Sequence, residues 1–186
     1  MLQQCANGGT REDLGAVARF DESYTNEAPT RPSLQAFSGK TLALPPEILM
    51  IGIATTEEVG HIDTFLRAHF TVSTPQVVTP PAPTLNDLSP DVKERGLHSI
   101  RLYKSFIRPL LPTCKVFHHA PVSLTHGSTS AAWFAMEFMA PNCEKGWVTI
   151  VRLGAGDRGS DGDVYDYVPR GLDRSMTYKV SSTTRA

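Results

Sequence analysis

Cys5, Gly8, Gly9, Arg11 and Asp13, followed closely by Tyr24, Asn26 and Glu27, are the residues whose types and spacing could do chemistry in this chain. Glycine lets a backbone approach a ligand closely. A thiol, a guanidinium and carboxylates supply hydrogen bonds and ionisable groups. Such a set suits recognition of a polar ligand, with Glu27 able to give or take a proton. The same residues also have a plainer reading. Cys5 is then a small buried hydrophobe, Gly8-Gly9 a turn, Arg11 with Asp13 a surface pair at a helix start, and Glu27 a solvated carboxylate. Sites of the first kind gather residues from several strand ends, so a chain that opens inside one is expected to continue a longer polypeptide.

The elements that would position these residues read as an alternation of helix and strand. Leu14, Val17 and Ala18 give one apolar side to a short helix over residues 13–20, and 23–25 reads as a strand or loop. A second helix is expected over 31–42, closed off by Pro45-Pro46. The continuous apolar run at 48–54 suits a strand buried on both faces. A third helix is expected over 56–70, and 74–84, with four prolines, reads as a loop. Ser89 is a candidate N-cap and Pro90 a first helical residue. Ile100, Tyr103, Phe106, Ile107 and Leu110 recur at helical spacing until Pro109 and Pro112 end the helix. Beyond Pro112 the period becomes two: Phe134, Met136 and Phe138 alternate, and 147–153, 163–168 and 176–180 are further strand candidates. The change places a domain boundary near 111–114, with an α/β unit over 1–111 and an all-β unit over 112–186. The second unit is expected to be able to fold by itself.

Composition bounds the function without naming it. At 186 residues, 40% hydrophobic and 20% charged with a net charge of −1, the chain reads as globular, and a nucleic-acid partner gripped by a broad basic surface is excluded. No apolar run is long enough to span a bilayer, so no membrane partner is expected, and localisation stays open. The three cysteines are widely separated and odd in number, which indicates neither a disulfide framework nor a CxxC metal site.

Taken together, Cys5-x-x-Gly8-Gly9-x-Arg11-x-Asp13-Leu14-Gly15 and Tyr24-Thr-Asn-Glu27 resemble the late active-site segment of glycoside hydrolase family 36, the α-galactosidases and their relatives. That segment runs Cys-x-x-Gly-Gly-x-Arg-x-Asp, a helix, then Trp-x-Ser-Asp with the acid/base carboxylate last. Further along, residues 102–110 resemble the family's final barrel helix. Tyr167-Val-Pro-Arg-Gly-Leu-Asp173 with Thr177-Tyr-Lys-Val180 resembles the end of its C-terminal β-sandwich. The resemblance implies the last strands and helices of a (β/α)8 TIM-type barrel over 1–111, followed by an antiparallel β-sandwich over 112–186. It implies retaining hydrolysis of terminal α-galactosides by two carboxylates, with no cofactor. Glu27 falls at the acid/base position, Cys5 and Gly8 at positions lining the galactose pocket, and Arg11 and Asp13 in the supporting motif. The chain departs from the pattern at Glu27, where the family has Asp, and at Tyr24 and Asn26, where it has Trp and Ser. The family's nucleophile, an Asp in a Lys-x-Asp strand, has no counterpart before Cys5, so the chain alone is expected to be inactive.

Other motifs fall away. Ser38-Gly-Lys-Thr41 lacks the first glycine of a phosphate loop, which is replaced by Leu34. His118-His119 on a strand would point to opposite faces, and with His126 they lack a carboxylate or cysteine set to complete a metal site. His126-Gly-Ser-Thr-Ser130 is no nucleophile elbow. The 157–163 loop has Gly159 and Val168 where a calcium loop needs oxygen ligands. Trp133 and Trp147 read as packing residues rather than sugar platforms. A non-catalytic carbohydrate-binding or structural β-sandwich module stands as the alternative to the hydrolase fragment.

Overall fold

The computed structural model of the chain describes residues 2–5, 13–25, 30–53, 71–72, 74–77, 89–120, 133–153 and 164–182. The helix expected over 56–70 lies outside them. The first half is built from β1 (Gln3–Gln4), α1 (Leu14–Val17), β2 (Glu22–Tyr24), α2 (Thr30–Lys40), β3 (Leu49–Ile53) and β4 (Thr74–Val77). The four strands form one parallel sheet in chain order, β1-β2-β3-β4. Leu49, Met50 and Ile51 are all buried, so β3 is covered on both faces as its unbroken apolar run requires. Over Thr74–Val77, β4 corrects the expectation of a loop at 74–84, and 78–84 lie outside the described residues. It pairs with β3 from Met50↔Thr74 to Ile53↔Val77 despite Pro75, and it can do so as the edge strand, where a proline breaks fewer ladder bonds.

A long helical stretch follows as α3 (Pro90–Leu102), a π-helical turn (Tyr103–Ile107) and α4 (Arg108–Leu110). Pro90 opens it at the first helical turn, with Asp91 favouring the positive end of the dipole. The π turn has a physical cause. Pro109 has no N–H to offer the carbonyl of Ser105, and its ring crowds that carbonyl. The chain widens just before it, with the Arg108 N–H bonded to the Tyr103 carbonyl. Beyond Gly96, the buried residues here are Ser99, Tyr103, Ile107 and Leu111. They step by four, which on a regular helix drifts about 40° per step. The wider turn counters that drift and keeps them facing the core.

The second half contributes β5 (Lys115–His118), β6 (Trp133–Met139) and β7 (Gly146–Arg152), an antiparallel sheet in the order β5-β6-β7. The strand candidates at 163–168 and 176–180 are a further correction, because the described residues 164–182 contain no strand. Residues 164–172 instead lie across the outer face of the sheet and attach to it through side chains. That layer explains why β6 is buried at every position from Phe134 to Met139, where the alternation suggested only one covered face.

One hydrophobic cluster runs through both halves. Leu34 and Phe37 of α2, Leu49 and Ile51 of β3, and Val72 meet Tyr103, Ile107 and Leu111 of the helical stretch and Phe134, Met136 and Phe138 of β6. Trp147 stacks on Phe138 with ring centroids 4.7 Å apart and planes 5° from parallel, and its Nε1 donates to the Thr71 carbonyl at 2.6 Å. Thr149 Oγ1 donates to the same carbonyl at 3.3 Å. The sheets are thus distinct in pattern, but the apolar surface each buries is buried partly against the other. Separating the all-β unit would expose Phe134, Met136 and Phe138. Phe138→Ala should lower the unfolding free energy by about 3–5 kcal/mol, read from urea denaturation of the whole chain.

Candidate functional site

Parallel pairing brings the carboxyl ends of β1 and β2 together. The register Gln3↔Glu22 and Gln4↔Ser23 carries Cys5 off β1 beside Tyr24, the last residue of β2. Alternation then sorts the side chains. Ser23 shares a face with its partner Leu49, and Leu49 packs with Leu34 and Phe37 of α2. Gln3, Glu22, Tyr24 and Met50 therefore share the face away from α2. On that face the Gln3 amide donates to Met50 Sδ at 2.9 Å and lies 3.4 Å from Glu22 Oε2. Tyr24 and Met50 are buried, and Cys5 is half-buried.

Of the residues singled out from sequence, Cys5 thus sits at this edge, on the strand next to Tyr24. Asp13 has a local role as the N-cap of α1. Its Oδ1 accepts from the Ala16 N–H at 2.8 Å, a contact typically worth about 1 kcal/mol. Gly8, Arg11 and Glu27 lie outside the described residues. The chain leading to Glu27 is visible as far as Thr25, which is firmly held. The Thr25 N–H donates to the Met50 carbonyl at 2.7 Å, and the Thr25 carbonyl accepts from Lys40 Nζ at 2.6 Å.

Lys40 and Glu22 are the two charged groups at this site that the sequence reading passed over. Lys40 belongs to the Ser38-Gly-Lys-Thr41 stretch considered as a phosphate loop. Here it occupies the C-terminal end of α2, whereas phosphate binding uses the N–H groups at a helix start. Glu22 carries a signal in its alternation with Tyr24, which puts both on one face.

The remaining chemistry-bearing residues are engaged elsewhere. His118 and His119 point to opposite sides, as adjacent strand residues do. His118 Nε2 donates to the Ser38 carbonyl at 3.1 Å and lies 2.9 Å from Thr41 Oγ1, while His119 Nε2 donates to Glu137 Oε2 at 2.7 Å. Burial, with the Arg170 and His119 charges nearby, holds His118 below the usual imidazole range. No cluster of three or more His, Cys, Asp or Glu suited to a metal ion occurs among the described residues. None of their helices is long and apolar enough to cross a membrane. His126 and the 157–163 loop lie outside the described residues. Trp133, half-buried, has Tyr165 at 5.4 Å on its ring and Arg152 at 6.0 Å, so its surroundings are protein groups.

No disulfide joins Cys5, Cys114 and Cys143. Burial, reinforced by the Glu47 charge, pushes the Cys114 thiol up to about 11. The thiol form therefore persists through neutral pH, and thiolate appears only as the pH nears that value. No protein-family model, curated protein or solved structure matches the chain.

Two outcomes follow from this geometry. Lys40→Met should cost about 1.5–3 kcal/mol in denaturant unfolding, because it removes a charged donor from a half-buried carbonyl. Thr25→Val leaves that carbonyl in place and should cost much less. Iodoacetamide labelling of Cys114, followed by peptide mass spectrometry, should be negligible at pH 8 and accelerate steeply toward pH 11.

Proposed function

We propose that the chain is part of a retaining α-galactosidase-like glycoside hydrolase acting on terminal α-galactosides. On this reading it contributes the last strands and helices of a (β/α)8 barrel and a C-terminal β-sandwich. The observation that carries the reading is the pairing of β1 with β2. Parallel strands in chain order deliver Cys5 and the Tyr24-Thr25 segment to one carboxyl edge, with Glu27 two residues beyond Thr25. Parallel α/β folds hold their ligands at that edge.

The chemistry asks for a proton donor on the leaving oxygen and a nucleophile on the anomeric carbon. Glu27 would protonate the departing alkoxide and, in the second step, take a proton from water. Cys5, Gly8, Arg11 and Asp13 would shape and support the sugar pocket, Asp13 by fixing the start of α1. Lys40, bonded to the Thr25 carbonyl, would steady the chain that carries Glu27. No Lys-x-Asp occurs among the 186 residues. The nucleophile would therefore come from another part of the polypeptide, and the chain alone would not turn over.

The test uses a chromogenic aryl α-galactoside. The chain alone should release no phenol, and a longer polypeptide that also carries a Lys-x-Asp barrel strand should. Within that polypeptide Glu27→Gln should lower turnover by about 10²–10⁴-fold. Turnover by the isolated chain, or undiminished turnover by the Glu27→Gln variant, would refute the assignment. Sugar binding by the chain with no hydrolysis in any longer form would favour the alternative of a carbohydrate-binding β-sandwich module.

A further inference from the structure

Residues 164–172 cross the outer face of the antiparallel sheet without joining its ladder. Among the described residues no backbone–backbone hydrogen bond links the two. Their polar attachments converge on one side chain, Glu137, which lies in the middle of the central strand β6 and is 1% exposed. The Arg170 N–H donates to Oε2 at 2.9 Å, the Gly171 N–H donates to Oε1 at 2.8 Å, and the Tyr167 hydroxyl donates as well. From the sheet side His119 Nε2 donates to Oε2 at 2.7 Å. One further polar tie runs from the Arg170 guanidinium to the His118 carbonyl at 3.3 Å. The rest of the contact is between rings and a cation: Tyr167 on His119 at 5.0 Å, Tyr165 on Trp133 at 5.4 Å, and Arg170 over Phe117 at 5.7 Å.

Gly171 fits this arrangement only because it lacks a side chain. A Cβ there would lie 2.9 Å from Glu137 Oε1, 2.8 Å from the Phe117 ring and 2.9 Å from Met139 Cβ. The close approach that puts two successive N–H groups on one carboxylate thus depends on glycine at this position.

We propose that residues 164–172 form a strap latched onto β5 and β6 by the Glu137 carboxylate, and that the strap opens as a unit while the three-stranded sheet beneath it stays folded. The geometry separates the two. The β5-β6-β7 ladder uses none of the strap, and the inner face of β6 is packed independently against the helical layer. Segments held by few bonds open at lower free energy than the core beneath them. Opening would bare Phe117, Trp133, Ala135 and Met139, which continue on the same face into Val148 and Ile150, already more than a third exposed.

The latch is sensitive to acid. Burial pushes the Glu137 carboxyl up. The Arg170 and Gly171 N–H groups, with His119 and Tyr167, together outweigh burial and hold it below the ordinary glutamate range. A depressed carboxylate contributes stability above its unfolded value and loses it as pH falls through the folded value. The strap should therefore be closed at neutral pH and released below the ordinary glutamate range. The titratable and charged groups on the same side of the sheet as Glu137 come from each covering element. Lys115 lies on its face of β5 and His119 just past the end of that strand, Tyr165, Tyr167 and Arg170 on the strap, and Arg152 on β7, where the direct partner of Glu137 is the uncharged Val148.

Hydrogen exchange on the full chain, resolved at Arg170, Gly171 and the amides of β6 and β7, tests this. At neutral pH the strap amides should be protected, yet exchange through a weaker opening than β6 and β7. On acidification their protection should vanish first. Glu137→Gln should cut strap protection by about 10–100-fold at neutral pH, the loss expected for charge-assisted bonds, and leave β6 and β7 unchanged. Gly171→Ala should produce the same pattern from the strap side. The proposal is overturned if strap and sheet amides exchange together in the native chain. It is equally overturned if both variants keep full strap protection, or if both lose the sheet along with the strap.

Discussion

The structure depends on one strand that has to be covered twice. β6 is buried on both faces, and the two faces demand different partners. Phe134, Met136 and Phe138 point into the common core, where only apolar surface from α2, β3 and the long helical stretch will serve. Ala135, Glu137 and Met139 point outward, and the carboxylate among them must be given donors before it can be buried at all. The first requirement ties the antiparallel sheet to the parallel one. The second brings residues 164–172 back across the sheet to supply N–H groups. The position of the second half follows from these two demands on seven residues.

Much of the fold is legible from local pattern. The apolar run at 48–54 contains β3, the Ser89-Pro90 signal opens α3 at the stated residue, and the alternation in 132–139 marks β6. The misses share a cause, since each rests on a partner distant in sequence. Thr74–Val77 looks like a proline-rich loop until β3 offers it an edge to pair with. The stretches at 163–168 and 176–180 have the composition of strands, but side-chain contacts rather than ladder bonds tie them to distant parts of the chain. The Tyr178 hydroxyl, for instance, donates to the Cys143 carbonyl and accepts from the Asp173 N–H. Pattern reports how a segment could be covered, and it is silent about what covers it.

The site is less legible than the fold. Asp13 announces itself as polar next to glycine and arginine, yet its carboxylate caps a four-residue helix. The reverse holds for Lys40, which looked like part of a broken phosphate motif and turns out to hold the main chain two residues before Glu27. In both, residue type was readable and role was not. A capping bond is a matter of local dihedral angles, whereas a lysine reaching a carbonyl fifteen positions away needs the helix return that only the βα unit provides.

The carbonyl of Thr71 receives both Trp147 and Thr149 from β7, and at a second place His118 binds the end of α2. Beside the shared apolar cluster and the peptide chain passing from Leu111 to Lys115, these are polar ties between the halves among the described residues. A joint of that kind carries load without relying on the connecting peptide. The chain could be nicked between residues 111 and 115 and the halves would stay docked as a two-piece assembly. The β sheet would then act as a splint along the flank of the parallel layer, resisting bending there.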